Sequence, residues 1–347
     1  MQFLCYAVIC ILYLSMESNC EKGSVLITGG TGFIGRALQF YLRQKGYIVN
    51  IVSRKPGPNT VTWDTLDKSG LPAGTQAVVN LVGQNILQPG SLWTEQYKKD
   101  VYSSRVNRTQ DLVKQLLAAN QSVKAFVSFS GVGIYEPSTD KVYDEHTPLV
   151  ANDSDFFQTL TRDWESAAQA ASKQIRTTII RSGVVLGNGG GMINVQYWPF
   201  FFGLGGPVSP GTQPLPWIHI HDMVRIIRLA IENESVRGVV NGVAPQNESV
   251  SGVVNGVAPQ IITNAQFSRA FAAALNRPCL FTVPGFVLKL VYSPERARII
   301  LEGQKVAPKR LLEEFKYEYK YPTVDAACKE TVAQFWPKTP FLSSHEK

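Results

Sequence analysis

The 347-residue sequence is poor in the residues that mark a metal centre or a disulfide-stabilised domain. It has only four histidines, and its five cysteines, Cys5, Cys10, Cys20, Cys279 and Cys328, show no metal-type spacing. We therefore predict no metal site and a reducing, intracellular location. The net charge of +7 is spread along the chain without a block of lysine and arginine, which argues against a nucleic-acid partner.

Long apolar runs are also missing. The one candidate is residues 3–16, which as a helix would be about 21 Å long at about 1.5 Å per residue, too short to cross a bilayer comfortably. No lysine or arginine precedes it and no clear cleavage site follows, so three interpretations stay open. The run is a signal peptide or anchor, an apolar extension lying on the protein, or a misplaced translation start. We assign residues 1–22 outside the fold, and expect a membrane partner only if the run is retained as an anchor.

An apolar strand that runs directly into closely spaced glycines is the most informative motif in the chain. The strand covers residues 24–28, and a helical pattern follows at residues 33–45. Glycines in this order permit a tight turn, close approach of the backbone to phosphates and close packing of the helix on the strand. The helix N-terminus adds free N–H groups and partial positive charge. The sequence predicts a dinucleotide cradle formed by Gly29, Gly30, Thr31, Gly32, Phe33, Ile34 and Gly35.

The end of the second predicted strand, residues 47–53, indicates which dinucleotide binds. An acidic residue there would bind the ribose 2′-hydroxyl of NAD, but this strand ends in Ser53, Arg54 and Lys55. Two cations and a hydroxyl suit a 2′-phosphate, which arginine can bind bidentately. The alternative is a solvated basic turn. We predict NADP(H), rather than NAD, as the cofactor.

Further cofactor contacts are expected at Leu81, Val82, Gly83, Asp100, Arg105 and Val185. The first three follow the strand at residues 77–81, an edge that lies under the adenosine and its ribose in such folds. Burial in the sheet accounts for an apolar residue at Leu81 equally well, without a cofactor contact. Asp100 and Arg105 are five residues apart on a predicted helix. Each is a candidate to face the cofactor, and exposure to solvent on the helix surface is the alternative. Val185 is expected to approach the nicotinamide through its backbone.

Strand-like and helix-like segments alternate along the first half of the chain. The predicted strands are residues 25–28, 47–53, 77–81, 125–129 and 177–185, and the predicted helices are residues 33–45, 92–117 and 155–172. Strands rich in valine and isoleucine are typical of a parallel sheet covered on both faces. We predict an α/β fold, a Rossmann-type doubly wound parallel sheet, over residues 23–187.

Residues 188–347 differ from the first half of the chain in their glycine and proline clusters. Glycine and proline clusters predict loops at residues 187–191, 203–207 and 214–216, and helices follow at residues 221–232, 264–275 and around 294–302. We expect a smaller, loop-rich substrate part, interleaved with the core, over the carboxyl ends of the strands.

A tandem duplication lies within this second part, at residues 233–260. Residues 233–246 recur at residues 247–260, with Arg237 replaced by Ser251. Two copies do not make a solenoid. We expect one copy to supply a strand and the other to form a loop.

The stretch 28–35, together with this alternation, resembles the extended short-chain dehydrogenase/reductase superfamily, in its sugar-nucleotide epimerase and dehydratase branch. Residues 80–85, 155–157, 164–165, 181–187, 216–222 and 301–306 are similar to one atypical subgroup, the epimerase family proteins of the 39U type. The similarity runs from about Ser24 to about Glu330. It implies an NADP-dependent oxidoreductase or epimerase-like protein acting on an unknown small carbonyl or hydroxyl compound.

The resemblance also implies a catalytic serine or threonine and a Tyr-x-x-x-Lys pair, and none of these residues is in place. Phe157 stands at the tyrosine position, Thr161 at the lysine position and Gly131 at the serine position. Phenylalanine has no proton to donate, so the usual chemistry cannot be carried over. The remaining candidates are Tyr135, for which the alternative is a structural tyrosine, and Ser130, for which it is an ordinary buried hydroxyl.

Two histidines and an aspartate are further polar candidates near the pocket. His219 and His221 alternate along a stretch that reads as extended, so we expect them to point to opposite faces, with one lining the pocket. Asp222 is expected to cap the helix that follows.

Two functions from different classes are consistent with these patterns. The first is an NADP-dependent enzyme with non-standard acid and base residues. The second is an NADPH-binding regulatory or scaffold protein without catalysis, like the relatives described as cell-division inhibitors. The cradle supports both functions, and the missing catalytic residues motivate the second.

Overall fold

A computed structural model describes residues 22–88, 90–119, 122–150, 152–236 and 252–335. The N-terminal apolar run lies outside the described residues, as do residues 237–246 of the first repeat copy and residues 247–251 of the second.

The core is a parallel sheet of seven strands in the order β10-β7-β5-β4-β1-β2-β3. The strands are β1 (Ser24–Thr28), β2 (Ile48–Ser53), β3 (Thr60–Thr62), β4 (Thr75–Asn80), β5 (Ala125–Gly131), β7 (Arg176–Ser182) and β10 (Val253–Gly256). The order reverses between β1 and β4, which opens the crevice where doubly wound folds bind ligands. The predicted Rossmann-type sheet is confirmed.

Helices cover both faces of this sheet, and further helices follow in the second part of the chain. They are α1 (Phe33–Gln44), α2 (Trp63–Ser69), α3 (Glu95–Ser103), α4 (Val106–Ala118), α5 (Phe156–Gln169), α6 (Gly191–Phe201), α7 (Ile220–Glu232), α8 (Asn264–Ala274), α9 (Gly285–Tyr292), α10 (Pro294–Leu301), α11 (Lys309–Glu313) and α12 (Val324–Ala333). Two small parallel sheets, β6 (Ser138–Tyr143) with β11 (Gln304–Val306) and β8 (Val184–Leu186) with β9 (Trp217–His219), complete the fold.

The central strands contain runs of apolar residues because both faces of the sheet are covered. Every residue of β1 and β10 is buried, and one main cluster of apolar side chains packs between the sheet and the helices α1, α4, α5 and α7. Burial on both faces removes the alternation of polar and apolar residues that marks a half-exposed strand. This is why the strands were recognisable as continuous runs.

Two predicted elements are each divided in the structure. The helix predicted at residues 92–117 is two helices, α3 and α4, which meet where Ser104 and Arg105 bind the backbone of Gln84. The strand predicted at residues 177–185 is β7 followed by β8, which belong to different sheets. The division falls at Gly183, where an added Cβ would lie 2.7 Å from the Pro216 carbonyl oxygen.

The second part of the chain returns to the core sheet. The second repeat copy supplies β10, which pairs with β7 from Val253 opposite Ile179 to Gly256 opposite Ser182. This confirms the expectation that a repeat copy supplies a strand. In the region expected to be mainly loops, α6 forms at residues 191–201, a nearly all-apolar helix whose glycine-rich start masks its pattern. Among the described residues, no helix is long and apolar enough to cross a membrane.

Candidate functional site

The glycine turn after β1 is packed too closely for side chains. Gly29 has a φ of +67°, and a Cβ added there would lie 2.6 Å from the Leu81 carbonyl oxygen. A Cβ at Gly30 would lie 2.5 Å from Cγ2 of Ile51, and one at Gly35 would overlap the Gly29 carbonyl. The turn therefore presents bare backbone at the switch point of the sheet, as a pyrophosphate requires.

The N-terminus of α1 is open. Gly32 occupies the N-cap position, and no side chain among the described residues caps the helix. In the described part of the chain, the N–H groups of Phe33, Ile34 and Gly35 have no hydrogen-bond partner. These donors and the partial positive charge of the helix end form an anion site.

A second loop packs against this cradle. Arg36 donates hydrogen bonds to the carbonyl oxygens of Thr31, at 2.7 Å, and Gly189, at 2.9 Å. The Phe33 ring lies against the backbone of Gly190, where a Cβ would approach within 2.5 Å. The loop that follows β8 is thereby held beside the glycine turn. These contacts bring Val185, in β8, to the same edge of the site.

The end of β2 carries the two cations predicted for the 2′-phosphate. Arg54 and Lys55 are exposed, and within the described residues neither pairs with a carboxylate. The Ser53 hydroxyl accepts a hydrogen bond from the Lys55 backbone N–H at 3.3 Å. Because their charges are not compensated by the protein, both cations suit an anionic group beside β2.

A buried hydrogen-bond chain fixes the strand ends below the cradle. Thr28 Oγ1 donates to Asn80 Oδ1 at 2.6 Å, and Asn80 Nδ2 donates to Thr109 Oγ1 at 2.8 Å and Ser128 Oγ at 3.2 Å. These bonds join β1, β4, β5 and α4. Satisfied buried networks of this kind rigidify the elements they connect.

Arg105 is one of the two charged residues predicted to face the cofactor after β4. It lies beside Gly83, in the segment expected under the adenosine. Its guanidinium donates to the Gln84 carbonyl at 2.8 Å and lies so close to Gly83 that a Cβ there would be 3.0 Å from Cζ. Burial lowers the pKa of Arg105 to about 10, and no carboxylate among the described residues pairs with it. Asp100 lies on the exposed face of α3, where its carboxylate accepts a hydrogen bond from Gln96. Contact of either residue with a cofactor stays a prediction.

The position of the missing catalytic tyrosine is occupied by an aromatic cluster. The Phe157 ring stacks on Trp93, with centroids 6.0 Å apart, and meets Phe156 edge-on at 5.4 Å. Thr161, at the lysine position, donates its hydroxyl to the Phe157 carbonyl at 2.7 Å. Neither residue offers a proton or a cation to a substrate.

Ser130 and Tyr135 belong to one buried polar network. Ser130 Oγ donates to Glu165 Oε1 at 2.6 Å, and Glu165 accepts two further bonds of 2.8 Å from the Arg181 guanidinium. Arg181 also donates to the Tyr135 hydroxyl at 3.0 Å, which in turn donates to Asn255 Oδ1 at 3.0 Å. Both candidate hydroxyls are thus engaged by protein groups, which favours their structural interpretation.

The electrostatics of this network agree with a structural role. Burial alone lowers the pKa of Arg181, but the Glu165 carboxylate and the hydrogen bonds outweigh burial and raise it above that of an exposed arginine. Burial raises the pKa of Tyr135 against the opposing effect of Arg181. A tyrosine that acts as an acid near neutral pH needs a lowered pKa. The catalytic roles of Ser130 and Tyr135 stay untested predictions.

The expectations for the histidines and Asp222 were wrong. Because α7 begins at Ile220, the rings of His219 and His221 stack at 5.4 Å instead of pointing to opposite faces. His219 itself caps the helix, since its Nδ1 accepts the His221 backbone N–H. The buried Asp222 carboxylate accepts the backbone N–H groups of Lys320 and Tyr321, so it anchors the C-terminal segment.

A cavity of about 140 Å³ lies at the carboxyl ends of β5 and β7, beside Phe157. Its walls come from the turn after β5, the start of α5, the loop at residues 213–216, the start of α8 and residues 298–304. The substrate part predicted beyond residue 188 therefore contributes to this cavity. Arg298 lines it with its charge already paired, at 3.2 Å to Asp155 and 3.0 Å to Glu302.

The sequence patterns missed the residues that complete this region. Arg181, Asn255 and Glu165 were not recognised as one network, because they lie on three separate elements. Their signal was a polar residue directly after two buried aliphatic residues of a strand, seen at Arg181 in β7 and at Asn255 in β10. Such residues are buried with partners and mark positions where the fold brings polar groups together.

Comparison with known proteins places this geometry in context. Residues 25–241 match the NAD dependent epimerase/dehydratase family, and residues 283–331 match a domain of unknown function, DUF1731. The epimerase family protein SDR39U1 of Homo sapiens is 45% identical over 309 residues, which cover 89% of this chain and 99% of that protein. Its chloroplastic homolog in Arabidopsis thaliana is 34% identical over 327 residues, which cover 89% of this chain and 87% of that protein.

A solved structure shares the fold over the same extent. The crystal structure of human SDR39U1 (isoform 2) with NADPH superposes with a TM-score of 0.82 at 45% identity, covering 89% of this chain and 99% of that chain.

Proposed function

This chain belongs to the NAD-dependent epimerase/dehydratase family, and we propose that it binds NADP(H) and transfers a hydride from NADPH to a small carbonyl compound or, in the reverse direction, from a small hydroxyl compound to NADP+. The observation that carries the cofactor half is the open N-terminus of α1 above a glycine turn that leaves no room for side chains. The NADPH in the human relative's structure agrees with the prediction of NADP(H).

The residues present fit two groups of NADPH, its pyrophosphate and its 2′-phosphate. The turn from Gly29 to Gly35 would hold the pyrophosphate through backbone N–H groups, and Arg54 with Lys55 would hold the 2′-phosphate. NADPH supplies a hydride when bound. Val185 and the loop tied to the cradle by Arg36 would border the nicotinamide side.

The enzyme interpretation is supported by the cavity at the carboxyl edge of the sheet, which is the edge where doubly wound folds bind their ligands. The acid and base groups differ from those of the superfamily, since Phe157 and Thr161 cannot serve. A regulatory, cell-division-inhibitor-like protein is the alternative, and no contact in the described residues favours it. We expect a small-molecule partner, no nucleic-acid partner and an intracellular location, as for the relative named chloroplastic.

Thermal stability with NADPH and with NADH tests the cofactor assignment. A ligand at 100 times its dissociation constant stabilises by about 2.7 kcal/mol, so NADPH should raise Tm clearly more than equimolar NADH. The Arg54→Asp variant should lose the preference, because it places an acid where the 2′-phosphate binds. The exposed Arg269→Asp variant is the control and should keep it. Equal shifts for both nucleotides in the wild type contradict the assignment.

Consumption of NADPH with a panel of carbonyl compounds tests the enzyme half. Turnover that depends on the compound supports it. Inactivity across the panel, with NADPH demonstrably bound, counts against it and favours the regulatory alternative.

A further inference from the structure

Three carboxamide side chains line the cavity beside Phe157, and all three have unused hydrogen-bonding capacity. Gln158, Gln213 and Asn264 are only 5%, 4% and 4% exposed. Buried polar groups in folded proteins almost always have partners, so a cluster of incompletely bonded amides in one cavity wall needs an explanation.

The orientation of two of these amides is set by the protein. Gln213 Nε2 donates to the carbonyl oxygens of Val208, at 3.1 Å, and Ile300, at 3.3 Å, which leaves Oε1 as a buried acceptor without a partner. Asn264 Oδ1 accepts the Val208 backbone N–H at 2.8 Å. The Nδ2 donors of Asn264 therefore have no partner in the described part of the chain.

Gln158 is the least constrained of the three. Its backbone N–H is bound by the Asp155 side chain at the start of α5, but its carboxamide makes no hydrogen bond to any described residue. It follows Phe157 directly, so it stands next to the position that a catalytic tyrosine holds in the superfamily. Together, the three amides offer both donors and acceptors around one small space.

The charge of the cavity wall argues against an anionic ligand. Among the described residues that line it, Arg298 is the one cation, and it faces two carboxylates, Asp155 and Glu302, at 3.2 and 3.0 Å. No positive charge is left to compensate a phosphate, and a diphosphate would lie close to two carboxylates. Phosphate recognition normally uses uncompensated arginine or lysine or an open helix N-terminus. Both helix starts in this wall are already capped, α5 by the Asp155 carboxylate and α8 by the Thr263 hydroxyl.

The volume limits how much of a ligand the cavity can enclose. A cavity of about 140 Å³ is close to an engineered protein cavity of about 150 Å³ that binds benzene, so it encloses roughly six to ten heavy atoms. A nucleoside diphosphate sugar is several times larger.

From these observations we propose that the cavity binds a small uncharged compound with hydroxyl or carbonyl groups, held by Gln158, Gln213 and Asn264, and that it does not serve a nucleoside diphosphate sugar. The proposal rests on the proposed function, since it names the substrate class of the same site. In its ligand class, this chain would then differ from the sugar-nucleotide branch that its glycine motif resembles.

Saturation-transfer NMR on the full-length protein with NADPH tests the proposal by binding, independently of turnover. The probes are dihydroxyacetone and erythrulose, with dihydroxyacetone phosphate and UDP-glucose as their anionic counterparts. We expect the two uncharged hydroxy ketones to bind at least tenfold more tightly than either anion. Tighter binding of an anion, or no binding of the ketones to a protein that binds NADPH, overturns the proposal.

Matched variants locate the binding. Gln158→Met keeps the length of the side chain but removes its hydrogen bonds, and should weaken ketone binding about tenfold or more. Gln169→Met, on the same helix outside the cavity, should leave it unchanged. If Gln158→Met does not fold, Asn264→Asp keeps the acceptor for Val208 and replaces the Nδ2 donors, with the same expected loss. Unchanged ketone binding in a folded cavity variant overturns the proposal.

NADPH binding, measured in the same samples by its fluorescence, separates the two proposals. Ketone binding without NADPH binding contradicts the proposed function alone. NADPH binding without ketone binding contradicts the inference about the cavity alone.

Discussion

The glycine turn between β1 and α1 and the start of α5 lie at the same edge of the sheet, but their polar groups are used differently. At the turn, backbone N–H groups and the side chains of Arg54 and Lys55 have no acceptor among the described residues. Beside the start of α5, Ser130 of β5 and Tyr135 of the turn after β5 bind protein groups, and Phe157 stands at the tyrosine position. The first region is arranged for a ligand, and the second is largely satisfied by the protein itself.

The difference shows that a cofactor site and a catalytic site are maintained by separate requirements. The cradle depends on backbone geometry that few substitutions preserve, whereas side chains at the start of α5 can change without altering the sheet. The Ser130–Glu165–Arg181–Tyr135 network stabilises the fold where other members of the superfamily carry out chemistry. The unused carboxamides beside it are the part of this region left for a ligand.

Breaking the buried ion pair should have the largest effect on stability. Glu165→Gln leaves the Arg181 charge buried without its partner, and we expect the free energy of unfolding to fall by about 3–5 kcal/mol. Asp153→Asn removes the partner of the more exposed Arg162 and should cost less than about 1 kcal/mol. Urea unfolding of both variants measures the difference. Equal costs would mean that the network is not the structural element described above.

Adding a side chain in the glycine turn should have the next largest effect, and we expect it to weaken cofactor binding. Gly29→Ala and Gly70→Ala both place alanine at a positive φ, +67° and +71°, which costs a residue other than glycine about 1–3 kcal/mol. Only at Gly29 does the added Cβ collide, at 2.6 Å from the Leu81 carbonyl, whereas nothing lies within 4 Å at Gly70.

The two alanine variants should therefore separate in NADPH affinity. We expect Gly29→Ala to bind NADPH at least about tenfold more weakly and Gly70→Ala to bind like the wild type, since a tenfold change needs only about 1.4 kcal/mol. Fluorescence titration with NADPH measures both. Unchanged affinity in Gly29→Ala would place the cofactor elsewhere.

The smallest effect concerns pH. Burial, then the charges of His221 and Lys320, lower the pKa of His219 well below its usual value, so His219 stays neutral in the folded protein. Below about pH 6.5 the unfolded chain takes up a proton that the folded chain does not. Stability is therefore complete above that pH and falls as pH drops, by about 1.4 kcal/mol per pH unit for each such histidine.

His219→Asn tests this slope. Asparagine keeps an acceptor at the N-cap of α7 but does not titrate. Urea unfolding at about pH 7, 6 and 5 should show a shallower loss of stability in the variant than in the wild type, with His221 accounting for what remains. Parallel slopes would show that His219 is protonated in the folded state.

How far the sequence predicted the structure depended on how local each signal was. The strands β1, β2 and β5 and the helix α1 were predicted close to their bounds, because burial on both faces and glycine spacing are visible in short segments. The boundaries at Ser104 and Gly183 were missed. Each is set by a contact with a distant segment, Gln84 in one case and Pro216 in the other.

The candidate site followed the same rule. The glycine turn was recognisable because its residues are contiguous in the chain, and their contact with the cofactor stays a prediction. The roles of His219 and Asp222 were misjudged because their partners, Tyr321 among them, come from the far end of the chain.

The sequence by itself determined the doubly wound sheet, the glycine cradle and the absence of the standard catalytic residues, because each is written in contiguous residues with a fixed spacing. Only the tertiary structure decided which polar groups are free. Glu165, Arg181 and Asn255 meet from three elements to satisfy Ser130 and Tyr135, and Gln158, Gln213 and Asn264 meet from three others with capacity left over. Whether a buried polar group is satisfied depends on partners that are distant in sequence, and the fold alone brings them within hydrogen-bond distance.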